Sequence, residues 1–225
     1  MTLSTSSKAT LGTVAAIPHR GGRPSRTQSE QLGERILDAA THLFLSLGYG
    51  ATSIEAVARR ARISKRTFYH RFENKPALFA AVVNRIIARL RPPADVPLLE
   101  GTNVDEILQR LAGIILRAAL SAQAIALHRL IVAESARFPK LAAVVTEQGA
   151  TEEAIRLIAS VLDREAPTAN LKFDNPRFAA EQFLCMVITL PQRRAMGFGV
   201  SMTPVELDSW APEVVNLFLN GCRGG

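Results

Sequence analysis

The sequence predicts an all-α protein with a small N-terminal helix-turn-helix domain of three helices and a larger C-terminal helical domain. Apolar residues recur at helical spacing along most of the 225-residue chain, without the strict alternation that is typical of a half-buried strand. Two short, capped helical patterns lie close together in the N-terminal third, as in a helix-turn-helix. With 48% apolar and 21% charged residues, the composition is that of a globular protein.

The helix-turn-helix is predicted from spacing and from capping residues. In the first short pattern, one buried helix face is formed by Ile54, Val57, Ala58 and Ala61. Thr52 and Glu55 have the spacing of a capping box at its start. The second pattern begins at Ser64, a favourable N-cap residue, and extends to Phe72. Only residues 61–63 separate the two patterns, which is the turn length expected for this motif.

The second short helix carries side chains that are suited to DNA. Phe68 and Phe72 are four residues apart and are predicted to anchor it to the core. Its remaining circumference offers cationic and hydroxyl donors for base edges and phosphates. Operator contacts are predicted from Lys65, Arg66, Thr67, Tyr69 and His70. Phosphate contacts are predicted from Thr52, Ser53, Ser64 and Lys75, the last of which lies at the start of the following helix.

The net charge is divided unevenly along the chain. Residues 1–91 contain 15 Lys and Arg against five Asp and Glu, a net charge of +10, whereas the remainder has a net charge of −3. The positive charge is therefore concentrated in the half that contains the helix-turn-helix. This distribution is typical of a protein that binds a polyanion.

These residues carry a resemblance to a known family. The segment from Gln28 to Phe79 resembles the DNA-binding domain of the TetR family of bacterial regulators. The family pattern is matched at Thr52-Ser53-Ile54, Val57-Ala58, Ile63-Ser64, Thr67-Phe68-Tyr69, Phe72, Lys75 and Leu78-Phe79. One position departs from it, because Arg62 stands in the turn where the family usually has glycine. A non-glycine residue at this position is expected to strain or alter the turn.

The predicted domain boundaries follow from the helical patterns. Residues 1–27 are predicted to form a disordered basic arm, which either contacts DNA or serves as a solubilising tail. The helix-turn-helix domain is predicted over residues 28–75 and a connecting helix over 76–91, where two prolines follow. The C-terminal domain is then predicted over residues 92–225.

Five further helices are predicted in the C-terminal domain. Their expected ranges are residues 104–120, 122–137, 141–165, 175–190 and a last helix from residue 204. Gly149 is expected to bend the third of these helices, and residues 166–170 are predicted to form a loop.

This half resembles the regulatory domains of AcrR-like or AefR-like members of the same family. The likeness lies in two stretches, Leu127–Leu141 and Asn175–Met186. It implies a pocket for a small, often hydrophobic effector, and a homodimer that forms through the last two long helices. The sequence adds support for the dimer, since apolar residues cover more than one narrow stripe of these helices. Those residues are Phe183, Cys185, Met186, Val187, Ile188, Val214, Leu217, Phe218 and Leu219. The alternative is that all of them are buried within a single chain.

Five polar residues on otherwise apolar helices are candidates for orienting an effector. They are Arg117, Gln123, His128, Arg129 and Glu134. The alternative for each is a surface position or an ion pair at the edge of the core.

Other functional classes find little support. The four histidines do not pair with Cys or carboxylates at metal-ligand spacing, and the two cysteines form no redox motif. Phosphate-binding and nucleophile-elbow motifs are not found, so we expect neither an enzyme nor a bound cofactor or metal. Apolar runs are too short for a membrane span and no signal peptide is indicated, so we expect a cytoplasmic protein.

The sequence therefore predicts a homodimeric, ligand-responsive transcriptional repressor that binds a palindromic operator in double-stranded DNA. The alternative is a nonspecific or architectural nucleic-acid-binding protein that relies on phosphate contacts and does not respond to an effector.

Overall fold

The described part of the chain is helical, which confirms the predicted all-α fold. The computed structural model describes residues 26–93, 95–147 and 149–222, and these contain ten α-helices and no β-strand. The helices are α1 (Arg26–Leu47), α2 (Ile54–Arg60), α3 (Lys65–Tyr69), α4 (Lys75–Leu90), α5 (Val104–Ala119), α6 (Ala122–Glu134), α7 (Lys140–Glu147), α8 (Ala150–Ala169), α9 (Pro176–Ala195) and α10 (Pro204–Cys222). Most of the arm expected over residues 1–27 lies outside the described residues, but Arg26 and Thr27 belong to α1.

Side-chain caps determine where the helices α2, α3 and α4 begin. Ser53, Ser64 and Asn74 accept hydrogen bonds from the backbone N–H groups three residues further on, at 3.1, 3.0 and 2.8 Å. Each cap satisfies a donor that has no partner within its own helix. The expected capping box is wrong, because Ser53 rather than Thr52 is the N-cap residue of α2.

One hydrophobic core joins the N-terminal helices α1–α4 to two helices of the C-terminal half. Its centre is aromatic: Phe44, Phe68 and Phe79 are fully buried, and Tyr49 packs edge-on against Phe79. The same core includes apolar residues from α6 and α7, namely Leu127, Leu130 and Leu141. The N-terminal helices and the α6–α7 pair are therefore buried against each other as one unit.

Polar contacts fix α4 to α1. The Arg85 side chain is almost buried, and its guanidinium donates to Asp38 Oδ1 at 2.8 Å and to Thr41 Oγ1 at 2.7 Å. It also lies 3.2 Å from the Glu34 carboxylate. Because the guanidinium presents several donors in a fixed plane, these contacts fix the orientation of the two helices.

A second core is formed by α5, α8, α9 and α10. Among its fully buried side chains are Leu108, Ile158, Leu162, Phe183 and Leu219. The rings of Phe183 and Phe218 pack with centroids 5.0 Å apart, which joins α9 to α10.

The predicted third helix of the C-terminal domain differs from the observed structure. Gly149 has φ +70°, a left-handed conformation that ends a right-handed helix, so the segment forms two helices, α7 and α8, instead of one bent helix. The loop predicted over residues 166–170 is also wrong, because α8 includes Pro167 and continues to Ala169. Its end is capped by Asn170, which adopts φ +52° and donates its N–H to the Ala166 carbonyl.

Within the described ranges, no single helix is long and apolar enough to cross a membrane. The pair α5 and α6 meets that requirement together by length and composition alone, with a 65° bend between them.

Candidate nucleic-acid interface

The turn between α2 and α3 is tight and contains a strained residue. The N–H of Ala61 donates to Val57 O at 2.8 Å, and the N–H of Ile63 donates to Ala58 O at 2.9 Å. Between them, Arg62 adopts φ +54°, in the left-handed region that favours glycine. The turn therefore keeps a geometry suited to glycine while an exposed arginine occupies the position.

Two aromatic rings hold α3 against the core. Phe68 is fully buried, Phe72 is half-buried, and their ring centroids are 5.8 Å apart. The opposite side of the helix is consequently turned outward. Its exposed side chains are Lys65, Arg66, Tyr69 and His70, which we call the reading face. Tyr69 has 53% of its surface exposed, so its hydroxyl is accessible to a macromolecule.

Four hydroxyl residues predicted to contact DNA have different positions. Thr52 is buried, and its hydroxyl donates to Gly48 O at 2.8 Å, which removes it from the outer surface. Ser53 and Ser64 are exposed at the N-caps of α2 and α3. Thr67 is half-buried, with its Oγ1 2.8 Å from Ser64 Oγ. The structure thus assigns Thr52 a role in the α1–α2 turn that the sequence pattern did not indicate.

Lys75 is predicted to contact DNA, and its ammonium group also contacts the protein. Its Nζ donates to Gly50 O at 3.3 Å and lies 4.3 Å from the centre of the Tyr49 ring. Partial burial lowers the pKa of Lys75, and the nearby Glu134 carboxylate acts in the opposite direction. Because an ammonium group has three donors, Lys75 can keep the Gly50 contact and still donate to a phosphate.

Lys65 is also paired in the structure. Its Nζ is 2.5 Å from Glu55 Oε1, and both side chains are more than half exposed. The hydrogen bond and the attraction between the charges raise the pKa of Lys65 and lower that of Glu55. The ion pair connects the first turn of α2 to the first residue of α3.

Three further cations lie beside the reading face, and our residue-level prediction did not include them. Arg59 and Arg60 are exposed at the end of α2, and Arg62 follows in the turn. The signal that could have identified them is the basic run at residues 59–66, which surrounds the predicted turn. Arg71 instead has a structural contact, because its guanidinium donates to Ser29 Oγ at 3.1 Å and to the Ser29 carbonyl.

An apolar cavity of about 320 Å³ lies beside the C-terminal end of α4. Its walls include Ile87 and Leu90 of α4, together with residues of α5, α8 and α9. Arg91 and Glu153 also line it and form an ion pair at 2.7 Å. The volume is within the range of small-molecule sites, whose walls are also mainly apolar.

The five polar residues predicted to orient an effector do not line this cavity. Arg129 donates to Ala195 O at 2.7 Å, and Glu134 accepts a hydrogen bond from the Gly50 N–H at 2.9 Å. Arg117 lines a separate, more polar groove of about 760 Å³ between α5 and α10. Gln123 and His128 are half-buried on α6. Arg129 and Glu134 therefore connect parts of the fold, and the apolar cavity is lined mainly by other side chains, so an effector role for these five residues stays a prediction.

The outer face of α9 and α10 is only partly as predicted. Phe183, Val187, Val214, Phe218 and Leu219 are buried within the chain itself. The apolar surface left outside includes Leu217, with 67% exposed, and Leu190, and both line one shallow groove with Cys185. This smaller surface is the candidate for a dimer contact.

The chain matches known families over both halves. The model described as bacterial regulatory proteins, tetR family, matches residues 36–82. The model described as AefR-like transcriptional repressor, C-terminal domain, matches residues 106–221, which is more than half of the chain.

Individual proteins give the same result. The transcriptional regulator UidR of Escherichia coli K12 is 30% identical over 131 residues, which cover 56% of this chain and 63% of that protein. A solved structure of the flavonoid-responsive regulator FrrA is 32% identical and has a TM-score of 0.71, covering 86% of this chain and 98% of FrrA. A solved protein from Mesorhizobium loti MAFF303099 that is assigned to the TetR family is 28% identical, with a TM-score of 0.72 and coverage of 88% and 100%. The helix-turn-helix, the basic N-terminal half and these matches together establish that the chain belongs to the TetR family of DNA-binding transcriptional regulators.

Proposed function

We propose that this protein is a dimeric repressor that binds a palindromic operator and is released by a small, mainly hydrophobic effector. The observation that carries the proposal is the pairing of two features on one helix. Lys75 begins α4 beside the reading face, and Ile87, Leu90 and Arg91 at its other end line the apolar cavity. A ligand in the cavity would therefore act on the helix that also supports the DNA-binding domain.

Sequence reading would depend on the reading face. Lys65, Arg66, Tyr69 and His70 offer donors of several kinds at the start and middle of α3, as recognition helices do in the major groove. Ser53, Ser64 and Lys75 remain candidates for phosphate contacts. Thr52 is not proposed to contact phosphate, because its hydroxyl is buried against Gly48.

Dimerisation would supply the second reading face. Leu190 and Leu217 form an exposed apolar surface on α9 and α10, which favours contact with another copy of the chain. Two related half-sites in DNA are separated by about 34–36 Å, one helical turn, or a multiple of it, and a dimer is needed to read both.

Release would follow from a difference in shape between the ligand-bound and DNA-bound forms. A ligand that separates α4 from α8 would strain the Arg91–Glu153 ion pair and change the distance between the two reading faces. By linkage, a ligand that weakens operator binding must itself bind less tightly to the DNA-bound protein.

The cavity and one relative suggest which effectors to test first. FrrA is named as flavonoid-responsive, so flavonoids, which are planar aromatic molecules with hydroxyl groups, are the first class to test here. The walls of the cavity are mostly aliphatic, while Arg91, Thr151, Glu153 and Gln192 provide polar groups. A panel of flavones, flavanones and fatty acids would separate planar aromatic ligands from extended aliphatic ones.

The first experiment is selection of bound fragments from random duplex DNA at roughly physiological salt. We expect a single palindromic motif, and Tyr69→Ala should bind it more weakly while its thermal unfolding is unchanged. Recovery of DNA without a motif would refute the repressor and favour an architectural protein. Failure to recover any DNA would refute DNA binding by the reading face.

The effector site has its own test. Ala118 lines the cavity, so Ala118→Phe should fill it, retain operator binding and abolish release by any ligand found in the panel. Ala133→Phe, at an exposed position on α6 away from the cavity, is the matched control and should respond as the wild type does. If the filled variant still released DNA at the same ligand concentration, the cavity would not be the effector site.

A further inference from the structure

A negatively charged side chain occupies the surface that is expected to approach DNA. Glu55 lies in the first turn of α2, and its carboxylate is 2.5 Å from the ammonium of Lys65 at the start of α3. Arg59, Arg60 and Arg66 lie nearby on the same two helices and are exposed. An acid in this position reduces the local positive charge at the point where phosphate attraction is strongest.

Two other acids of the N-terminal half have a structural contact. Glu34 and Asp38 lie within 3.2 Å of Arg85, where they hold α1 against α4. Glu55 instead pairs with a residue of the reading face. The pair does not serve to bury a charge, because both side chains remain more than half exposed to solvent. The ion pair therefore affects the position of the Lys65 ammonium group on the reading face.

We propose that Glu55 is a specificity-determining residue, which restrains Lys65 in the free protein and weakens binding to random DNA more than binding to the operator. The inference rests on the sequence-specific DNA binding proposed above. It adds a repulsive element beside the cations of the reading face, and discrimination between partners commonly depends on such elements.

The two complexes differ in the partners that Lys65 and Glu55 gain when their ion pair breaks. An exposed ion pair is weak and exchanges readily, so Lys65 can leave Glu55 when a better partner is offered. On the operator, Lys65 gains a base edge or phosphate, and the freed carboxylate can accept a hydrogen bond from a cytosine amino group. On random DNA the carboxylate gains no such partner and remains close to phosphates, which repel it.

The magnitude follows from counterion release. Removing one negative charge at the interface acts as one additional neutralised phosphate and steepens the salt dependence of binding by about 0.9 in log–log slope. At about 0.15 M salt, the same slope corresponds to a gain of about fivefold in affinity for random DNA. On the operator, replacing the carboxylate by an amide weakens the hydrogen bond from the cytosine amino group, and this loss should limit the gain in affinity to less than about twofold.

The experiment compares two duplexes of equal length, the motif recovered by selection and a shuffled version of it, between 50 and 200 mM salt. Glu55→Gln should bind the shuffled duplex about fivefold more tightly, with a steeper salt slope, and so reduce the specificity ratio by more than about 2.5-fold. Glu55→Asp keeps the charge and should behave nearly as the wild type does. The control is Glu100→Gln, which makes the same change in net charge at an exposed site in the C-terminal half and should leave both affinities unchanged.

A double-mutant cycle with Lys65→Gln tests whether Glu55 acts through Lys65. If it does, the effect of Glu55→Gln on the specificity ratio should shrink when Lys65 is also replaced. Unchanged affinity for the shuffled duplex, or equal gains on both duplexes, would overturn the proposal. Selection without a motif would refute the proposed function whatever the variants do, whereas a motif with equal gains would refute only the role of Glu55.

Discussion

Glu134 of α6 accepts a hydrogen bond from the backbone N–H of Gly50, at 2.9 Å, in the turn that precedes the helix-turn-helix. Five residues earlier on the same helix, Arg129 donates to the Ala195 carbonyl at the end of α9. Gly50 follows Tyr49 of the first core, and Ala195 ends α9, a helix of the second core, so α6 contacts both halves of the chain. A movement of α6 is therefore transmitted to the α1–α2 turn through a specific hydrogen bond as well as through packing.

We expect Glu134→Ala to loosen the DNA-binding domain from the C-terminal helices. The substitution leaves the half-buried Gly50 N–H without its partner and removes a negative charge near Lys75, and the expected loss in free energy of unfolding is about 1–3 kcal/mol. Urea denaturation at fixed protein concentration measures it, since an oligomer's stability depends on concentration. Glu100→Ala is the control, and an equal loss in both variants would contradict the role of Glu134.

Lys75 links stability to pH, and the direction follows from its burial. Burial lowers its pKa in the folded protein below the ordinary value, so the unfolded chain binds the proton more tightly. Below the pKa of the folded protein, Lys75 is charged in both states, and burial of the charge lowers stability in full. This cost disappears as the pH rises from the folded pKa to the unfolded pKa. Wild-type stability should therefore increase relative to Lys75→Met over that alkaline range, as measured by unfolding at several pH values. A difference that does not change with pH would contradict this linkage.

The same variant tests the predicted phosphate contact. Lys75→Met should weaken binding to all DNA sequences about equally and lower the salt slope by about one unit. A loss that is confined to the operator would instead assign Lys75 to base recognition.

Arg62 is expected to reduce stability while its charge supports DNA binding. Arg62→Gly and Arg62→Ala remove the same charge, so both should lower the salt slope of binding by about 0.9. Only glycine also removes the strain of the left-handed turn, which costs about 1–2 kcal/mol for other residues. After allowance for the greater flexibility of unfolded glycine, the Gly variant should exceed the Ala variant by about 0.5–1 kcal/mol in free energy of unfolding. Equal stabilities would show that the turn is not strained by Arg62.

The reading face could be predicted because its signals are local. The Ser64 cap and the spacing of Phe68 and Phe72 are sufficient to orient a short helix, and the structure confirms that orientation. Thr52 shows the limit of such reasoning, since two adjacent hydroxyl residues could each have been the cap. Which of the two is the cap depends on the Gly48 carbonyl after the end of α1, because this carbonyl accepts a hydrogen bond from the Thr52 hydroxyl.

The cavity could not be predicted in the same way. Arg129 and Glu134 were candidates because they are polar residues on an apolar helix, but their partners lie 66 and 84 residues away along the chain. The cavity itself is lined by alanines, leucines and isoleucines from several helices, which in sequence are indistinguishable from core residues. Which apolar face remains unfilled depends on how the helices cross, and that is a tertiary property.

A charged substitution at Leu217 tests the proposed dimer interface. The Leu217 side chain is 67% exposed on α10, so Leu217→Asp should cost little within one chain but place two charges in an apolar contact between two copies. We expect the variant to be monomeric by light scattering at micromolar concentration and to bind a two-half-site operator much more weakly. Val132→Asp, at a similarly exposed position on α6, should remain dimeric. A dimeric Leu217→Asp protein would move the interface away from this surface, because an unpaired aspartate pair at its centre would not be tolerated there.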